Sequence, residues 1–222
     1  MGMLLVWTDV EPSAEEDFNA WYDEEHLPER VGVPGFIGGW RYHGEGASPR
    51  YFAVYGTKSV DVLSGPEYLE RLNNPTPWTQ RVMPTFRNTV RAVCRLVGEQ
   101  GGADGADGGA VLTLRFNPRP GGRDALREAL LAELSLPPGV TRLRLGETVS
   151  TGQAQSRDTA ETNLRGWDAT TDFVWLMDGP QEAALEAARM AQLPDQRLLE
   201  LGVEGPVNQG LYRLCGALTA ES

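Results

Sequence analysis

The chain has 222 residues, 41% hydrophobic and 23% charged, with a formal charge of −11. Those values suit a soluble globular protein, and no run approaches the ~18 apolar residues of a membrane helix. The acidity argues against a nucleic-acid surface, which needs clustered cations, and Cys94 and Cys215 alone make neither a disulfide framework nor a metal site.

Met1-Gly2-Met3-Leu4-Leu5-Val6-Trp7 runs into Asp9 and Glu11 without a basic region or a small-residue cleavage site. It reads as a first strand near 3–10 rather than a signal peptide, and a cytoplasmic location is expected. A helix is expected near 14–27, opened by a Ser13/Glu16 capping box and closed by Pro28. Pro34-Gly35 turns the chain into a strand near 35–43, followed by a strand near 50–57 and a helix near 60–73. Asn74-Pro75-Thr76-Pro77-Trp78 reads as a rigid turn that places Trp78 over one end of the fold, before a strand near 86–97. Residues 99–109 hold no apolar side chain larger than Ala and read as a flexible Gly/Asp connector.

The second half repeats this order. Strands are expected near 110–116, 140–147, 171–177 and 208–218, with helices near 121–134 and 180–192. Met3 to Pro12 aligns with Val111 to Pro120 at an offset of 108, and Val33-Pro34-Gly35 with Pro137-Pro138-Gly139 at 104. Tyr51 to Tyr55 aligns with Asp172 to Leu176, and Val93-Cys94 with Leu214-Cys215, both at 121. The expected organisation is therefore a first unit at 1–98, a connector at 99–109 and a diverged second unit at 110–222. An inserted polar loop over about 147–170 carries Arg157, Arg165 and Trp167 and reads as a lid or a disordered segment. Each unit has the β-α-β-β-α-β order of the ferredoxin-like fold, class α+β. One face of each antiparallel sheet needs cover, and packing sheet against sheet would form a barrel around a cavity. The units could pair within one chain, giving a monomer, or between chains as a homodimer. A connector of eleven residues spans the ~25–35 Å that internal pairing needs.

Phe18-Asn19-Ala20-Trp21-Tyr22-Asp23-Glu24-Glu25-His26-Leu27-Pro28-Glu29-Arg30, Val33-Pro34-Gly35-Phe36 and Arg50-Tyr51-Phe52-Ala53-Val54-Tyr55 resemble the dimeric α+β barrel superfamily. Within it they look most like EthD-type and related uncharacterised proteins, although Glu25-His26 stands where many of those have two histidines. The resemblance implies the barrel fold and an activity drawn from cofactor-independent monooxygenases, isomerases, cyclases, haem-dependent peroxidases or proteins without known activity.

Phe18, Tyr22 and His26 share one helical stripe, and their counterparts at 108 are Leu126, Leu130 and Leu134. A histidine on such a stripe is either a hydrogen-bonded core residue or a proton-transfer group. Glu25, on the face of Trp21, could orient it. Arg30 and Arg41 could meet a substrate anion or form surface ion pairs, and Tyr55 could present its hydroxyl to a cavity. The expected catalytic residues are thus His26 and Glu25, and the expected substrate contacts are Trp21, Tyr22, Phe18, Arg41, Tyr55 and Trp78. With only His26 and His43 in the chain, no metal or other cofactor is expected. The leading expectation is a cofactor-independent enzyme acting on a small hydrophobic or aromatic molecule. A non-catalytic binding module and a structural protein with a filled barrel are the alternatives, and neither nucleic acid nor membrane is an expected partner.

Overall fold

Alternating side chains divide every strand of this protein between two layers, and the strands close on themselves. The computed structural model describes residues 1–102, 109–149, 159–166 and 168–220. The strands are β1 (Gly2–Val10), β2 (Phe36–His43), β3 (Tyr51–Thr57), β4 (Phe86–Gly101), β5 (Ala110–Pro118), β6 (Arg142–Thr148), β7 (Phe173–Gly179) and β8 (Val203–Thr219). They form one closed antiparallel barrel in the order β1-β3-β2-β8-β5-β7-β6-β4. Each half has the same internal order, and the seams β2–β8 and β4–β6 join the halves within the chain. This is the expected α+β architecture of two ferredoxin-like units packed sheet to sheet.

Met3, Leu5 and Trp7 of β1 point into the barrel, while Leu4 points out toward the helices. The interior is filled rather than hollow. Trp7 stacks on Phe52 at 4.8 Å between ring centroids, and Phe52 lies 5.6 Å from both Tyr42 and Tyr212. Eight strands enclose a space that side chains can just fill, and among the described residues these rings occupy the space between the sheets where a cavity is expected. The outer faces carry two separate apolar layers, one beneath the helices of each unit.

The helices correct several expectations. In the first unit α1 (Glu15–Trp21), a wide π turn (Tyr22–His26) and α2 (Leu27–Val31) run on continuously. Pro28 therefore does not end the helix. The Leu27 N–H reaches the carbonyl of Tyr22, five residues back, and this widening removes the clash a proline ring makes in a regular turn. Nor does Ser13 cap it, because Pro12–Ala14 form a 3₁₀ turn and no side chain caps α1. Then come α3 (Pro66–Asn73) and α4 (Pro77–Val82), the latter capped by Thr76 Oγ1 accepting from Thr79 N at 3.0 Å. Pro75 and Pro77 thus lead into a helix, not a rigid turn. The second unit has α5 (Arg123–Ala132), α6 (Ala160–Arg165) in the insertion, α7 (Glu182–Gln192) and α8 (Asp195–Leu201).

Residues 99–101 extend β4 instead of joining the connector, with Glu99 opposite Arg144 and Gly101 opposite Arg142. The last strand of each unit must pair with its own unit and then with the other, so β4 and β8 are 16 and 17 residues long. The connector at 103–108, and Arg157 and Trp167 of the insertion, lie outside the described residues.

Strand register also revises the alignment of the two units. Leu4 stands opposite Tyr55 and Leu112 opposite Met177, so Tyr55 corresponds to Met177, not Leu176. A slip of one residue moves a side chain to the other face of a sheet, and Leu176 indeed belongs to the barrel interior.

Candidate functional site

Between the outer face of the first unit's sheet and its helices lies a cavity of about 50 Å³. A water molecule needs at least ~10–15 Å³ by the same measure, so the cavity has room for a small molecule. Its wall is assembled from five directions. The α1–α2 helix supplies Tyr22, His26 and Arg30, and β1 supplies Leu4, Val6 and Thr8. Strands β2 and β3 add Arg41, Ala53 and Tyr55; α3 and β4 add Tyr68, Leu72 and Arg91; α6 of the second unit adds Glu161, Thr162 and Arg165.

The π turn positions His26. It stacks on Trp21, five residues earlier, at 4.3 Å and meets the Tyr22 ring edge-on at 5.0 Å. The side chain is 8% exposed and its Nδ1 is buried without a hydrogen-bond partner. Burial, and after it the guanidinium groups of Arg30, Arg165 and Arg41, hold the imidazole well below the usual histidine range. The ring is therefore neutral at neutral pH, with one nitrogen able to accept a proton.

Beside it, the Tyr55 hydroxyl donates to the Tyr22 oxygen at 2.8 Å. Burial pushes the Tyr22 phenol up to about 12 and Tyr55 well above the ordinary tyrosine value. Both remain protonated, and Tyr22, already accepting from Tyr55, keeps its own O–H available to donate. Gly39 lies across from Tyr55 on β2, where a Cβ would come within 2.8 Å of that ring. The bare glycine lets the tyrosine lie close against the sheet.

Arg41 donates to Asp23 Oδ1 at 2.8 Å and to Asn19, and its guanidinium lies 4.8 Å from the Tyr22 ring centroid. Arg30 is only 2% exposed, which rules out the surface ion pair, one of its two expected roles. It bonds Glu161 of α6, itself 2% exposed, and its cation faces the Tyr68 ring at 5.7 Å. The arm bearing α6 is sewn onto the first unit: Arg91 N donates to Ala169 O and Ala169 N to Thr89 O, each at 2.9 Å. Arg165 is held by Asp168 through bonds of 2.9 and 2.7 Å.

Of the residues expected at the site, Tyr22, His26, Arg41 and Tyr55 are on the cavity wall. Phe18 and Trp21 pack in the core behind it. Glu25 does not approach His26. It accepts from Trp21 Nε1 at 3.1 Å, Thr76 Oγ1 at 2.5 Å and Thr79 Oγ1 at 3.2 Å, fastening α1 to α4. Trp78 is half-buried at the same joint, donating to Asp17 at 2.9 Å, and covers no barrel end. His43 sits at the end of β2 against Arg50 and the wall residue Tyr51, and does not itself line the cavity. Tyr68, Arg91 and Glu161 were not singled out from the sequence. Arg91 was within reach, since it alternates with the inward-facing Ala92 and shares the outer face with Val93. Among the described residues no group of three or more His, Cys, Asp or Glu side chains could hold a metal ion, and no helix is long and apolar enough to cross a membrane.

No family model and no curated protein matches the chain. Solved structures do. An anthrone oxidase-like protein matches with a TM-score of 0.63 at 14% identity, over 100% of this chain and 93% of that one. A candidate monooxygenase from Fusobacterium nucleatum matches with a TM-score of 0.58 at 10% identity, over 98% and 94% of the two chains. A candidate chlorite dismutase matches with a TM-score of 0.54 at 12% identity, over 96% and 94%. At these identities the likeness is one of fold: the chain has the ferredoxin-like α+β barrel that these proteins share.

Proposed function

We propose that this protein is an enzyme that removes a proton from a small, largely apolar, conjugated molecule, in the manner of a cofactor-independent monooxygenase. The observation that carries this reading is His26, a neutral buried imidazole with an unpartnered Nδ1 on the wall of the cavity. His26 accepts the proton of an enol, phenol or activated C–H. The Tyr22 hydroxyl donates to the oxygen on which negative charge develops, and Tyr55 polarises that hydroxyl. The surrounding guanidinium groups oppose imidazolium alone but favour the imidazolium–anion pair, so proton transfer is coupled to the appearance of the anion. An electron-rich anion shielded from water is the species that dioxygen can oxidise, and the monooxygenase and oxidase descriptions of structural neighbours point the same way.

The test is a panel of enolisable and phenolic aromatics, followed by oxygen uptake and by solvent-deuterium exchange at the acidic carbon. His26→Ala should lower both rates by ~10²–10⁴-fold while changing ligand affinity little. Exchange that persists undiminished in His26→Ala would remove the proposal. Binding without turnover in either form would leave a ligand-binding module in the same cavity.

A further inference from the structure

We infer that the ligand of this cavity is a small acid bound as its anion, with an apolar body against the sheet and its charged oxygen toward the arginines. The inference rests on the cavity proposed above as the active site and adds the charge of what enters it. Among the described residues, four guanidinium groups, Arg30, Arg41, Arg91 and Arg165, line the wall against one carboxylate, Glu161. That balance is the reverse of the whole chain, whose formal charge is −11. The carboxylates that pair with Arg41 and Arg165 stand outside the wall, and Asp23 is 52% exposed, where water weakens its compensation. Arg30 keeps one nitrogen, Nη1, without a hydrogen bond; the Glu29 carboxylate oxygen is 3.9 Å away, too far to accept one.

A concave site lined by one sign of charge in a low-dielectric wall focuses its field on whatever binds there. The rest of the wall fixes the other end of the ligand. Leu4, Val6, Ala53, Leu72, Met83 and Phe86 offer an apolar surface with no charge to satisfy.

The test uses matched pairs that differ in charge and hardly in shape: benzoate with benzamide, and acetoacetate with acetoacetamide. Affinities are measured by calorimetry at neutral pH on the full chain. The acid should bind about tenfold or more tightly than the amide, an ordinary consequence of one desolvated charge pair. Two variants carry opposite signs. Arg91→Met should reduce the acid's advantage, whereas Glu161→Gln, which removes an anionic group from the wall, should enlarge it; a merely structural role would weaken acid and amide alike. His26→Ala should keep the preference. Preference for the acid in that variant, with proton exchange found nowhere, would sustain this inference and end the catalytic reading. Exchange dependent on His26 but equal affinity for acid and amide would do the reverse. Failure of every pair to bind the wild type overturns the inference.

Discussion

The two helix-covered faces of the barrel have one scaffold and opposite contents. Beneath α5, α7 and α8 the second unit packs Leu126, Leu130, Leu143, Leu145, Trp175, Met177 and Leu185 into a continuous apolar layer. Beneath α1, α2 and α3 the first unit has a tyrosine pair, a histidine and arginines around a cavity. Matched by strand register, Arg41 stands where Leu145 does and Tyr55 where Met177 does; at the sequence offset of 108, Tyr22 corresponds to Leu130 in α5 and His26 to Leu134 just past its end. The second unit shows that leucine and methionine suffice for the fold. Each polar replacement brings a desolvation cost that has to be offset by a partner. The second unit's own contribution is different: it lends α6, whose Glu161 and Arg165 complete the wall of its neighbour.

The strongest way to break this contrast is at the contact between the units. Removing one partner of a buried ion pair strands the other, so Arg30→Met should destabilise the protein by ~3–5 kcal/mol in urea unfolding. Replacing Glu161 by Met as well should recover most of that loss, since no charge is then left buried alone. If the single variant were near neutral, the α6 arm would not be docked on the first unit as described. In the second unit, Leu130→Ala should cost ~2–5 kcal/mol by leaving a cavity. Its effect on ligand affinity in the first unit should be negligible. A large loss of affinity would show that the two faces are coupled through the barrel.

What the sequence makes legible follows the range over which its signals act. Alternation and the 3.6-residue period locate both units, and the unpaired sheet face leads to the barrel. The short helices α4, α6 and α8 have six or seven residues, too few for a periodic pattern to accumulate. The π turn adds one residue to a helical turn without a compositional mark, and it is what carries the helix through Pro28. At the site, Tyr22 and His26 are visible because they interrupt a stripe that is all leucine in the other unit. Arg30 looked like a surface cation because its partner lies 131 residues away, on a segment whose docking only the tertiary structure reveals. Glu25 was placed beside His26 by sequence adjacency, but Trp21, Thr76 and Thr79 turn it toward α4.

A smaller effect sharpens the comparison at the tyrosine pair. Tyr22→Phe leaves the Tyr55 hydroxyl buried with nothing to donate to and should cost ~1–3 kcal/mol. Tyr22→Phe with Tyr55→Phe removes both polar groups, as at the Leu130 and Met177 positions of the second unit, and should be close to wild type in stability. Thermal and urea unfolding of wild type, the two single variants Tyr22→Phe and Tyr55→Phe, and the double variant gives the coupling directly. Independent, additive losses would mean that the two hydroxyls do not form the bond that orients Tyr22 toward the cavity.

The gentlest test uses pH. The unfolded chain takes up a proton at residue 26 as pH falls through about 6.5, whereas the folded ring stays neutral until well below that value. In that window the unfolded state binds more protons, so stability rises with pH and is lost as pH is lowered, by up to ~1.4 kcal/mol per unit. Carboxyls complicate the lower end. Glu15, held low by its hydrogen bond from Tyr51, adds a loss only below the usual carboxylate range, and Glu29, raised by burial, acts in the opposite sense. The difference between wild type and His26→Asn isolates the imidazole, and the variant should show a flatter slope between pH about 5 and 6.5. Saturating benzoate should flatten the wild-type slope as well, because an anion in the cavity favours imidazolium and raises the folded-state value. Benzamide should not. A slope unaffected by the substitution would mean that the folded ring already titrates like a solvated histidine, and the contrast with Leu134 would then lose its chemical content.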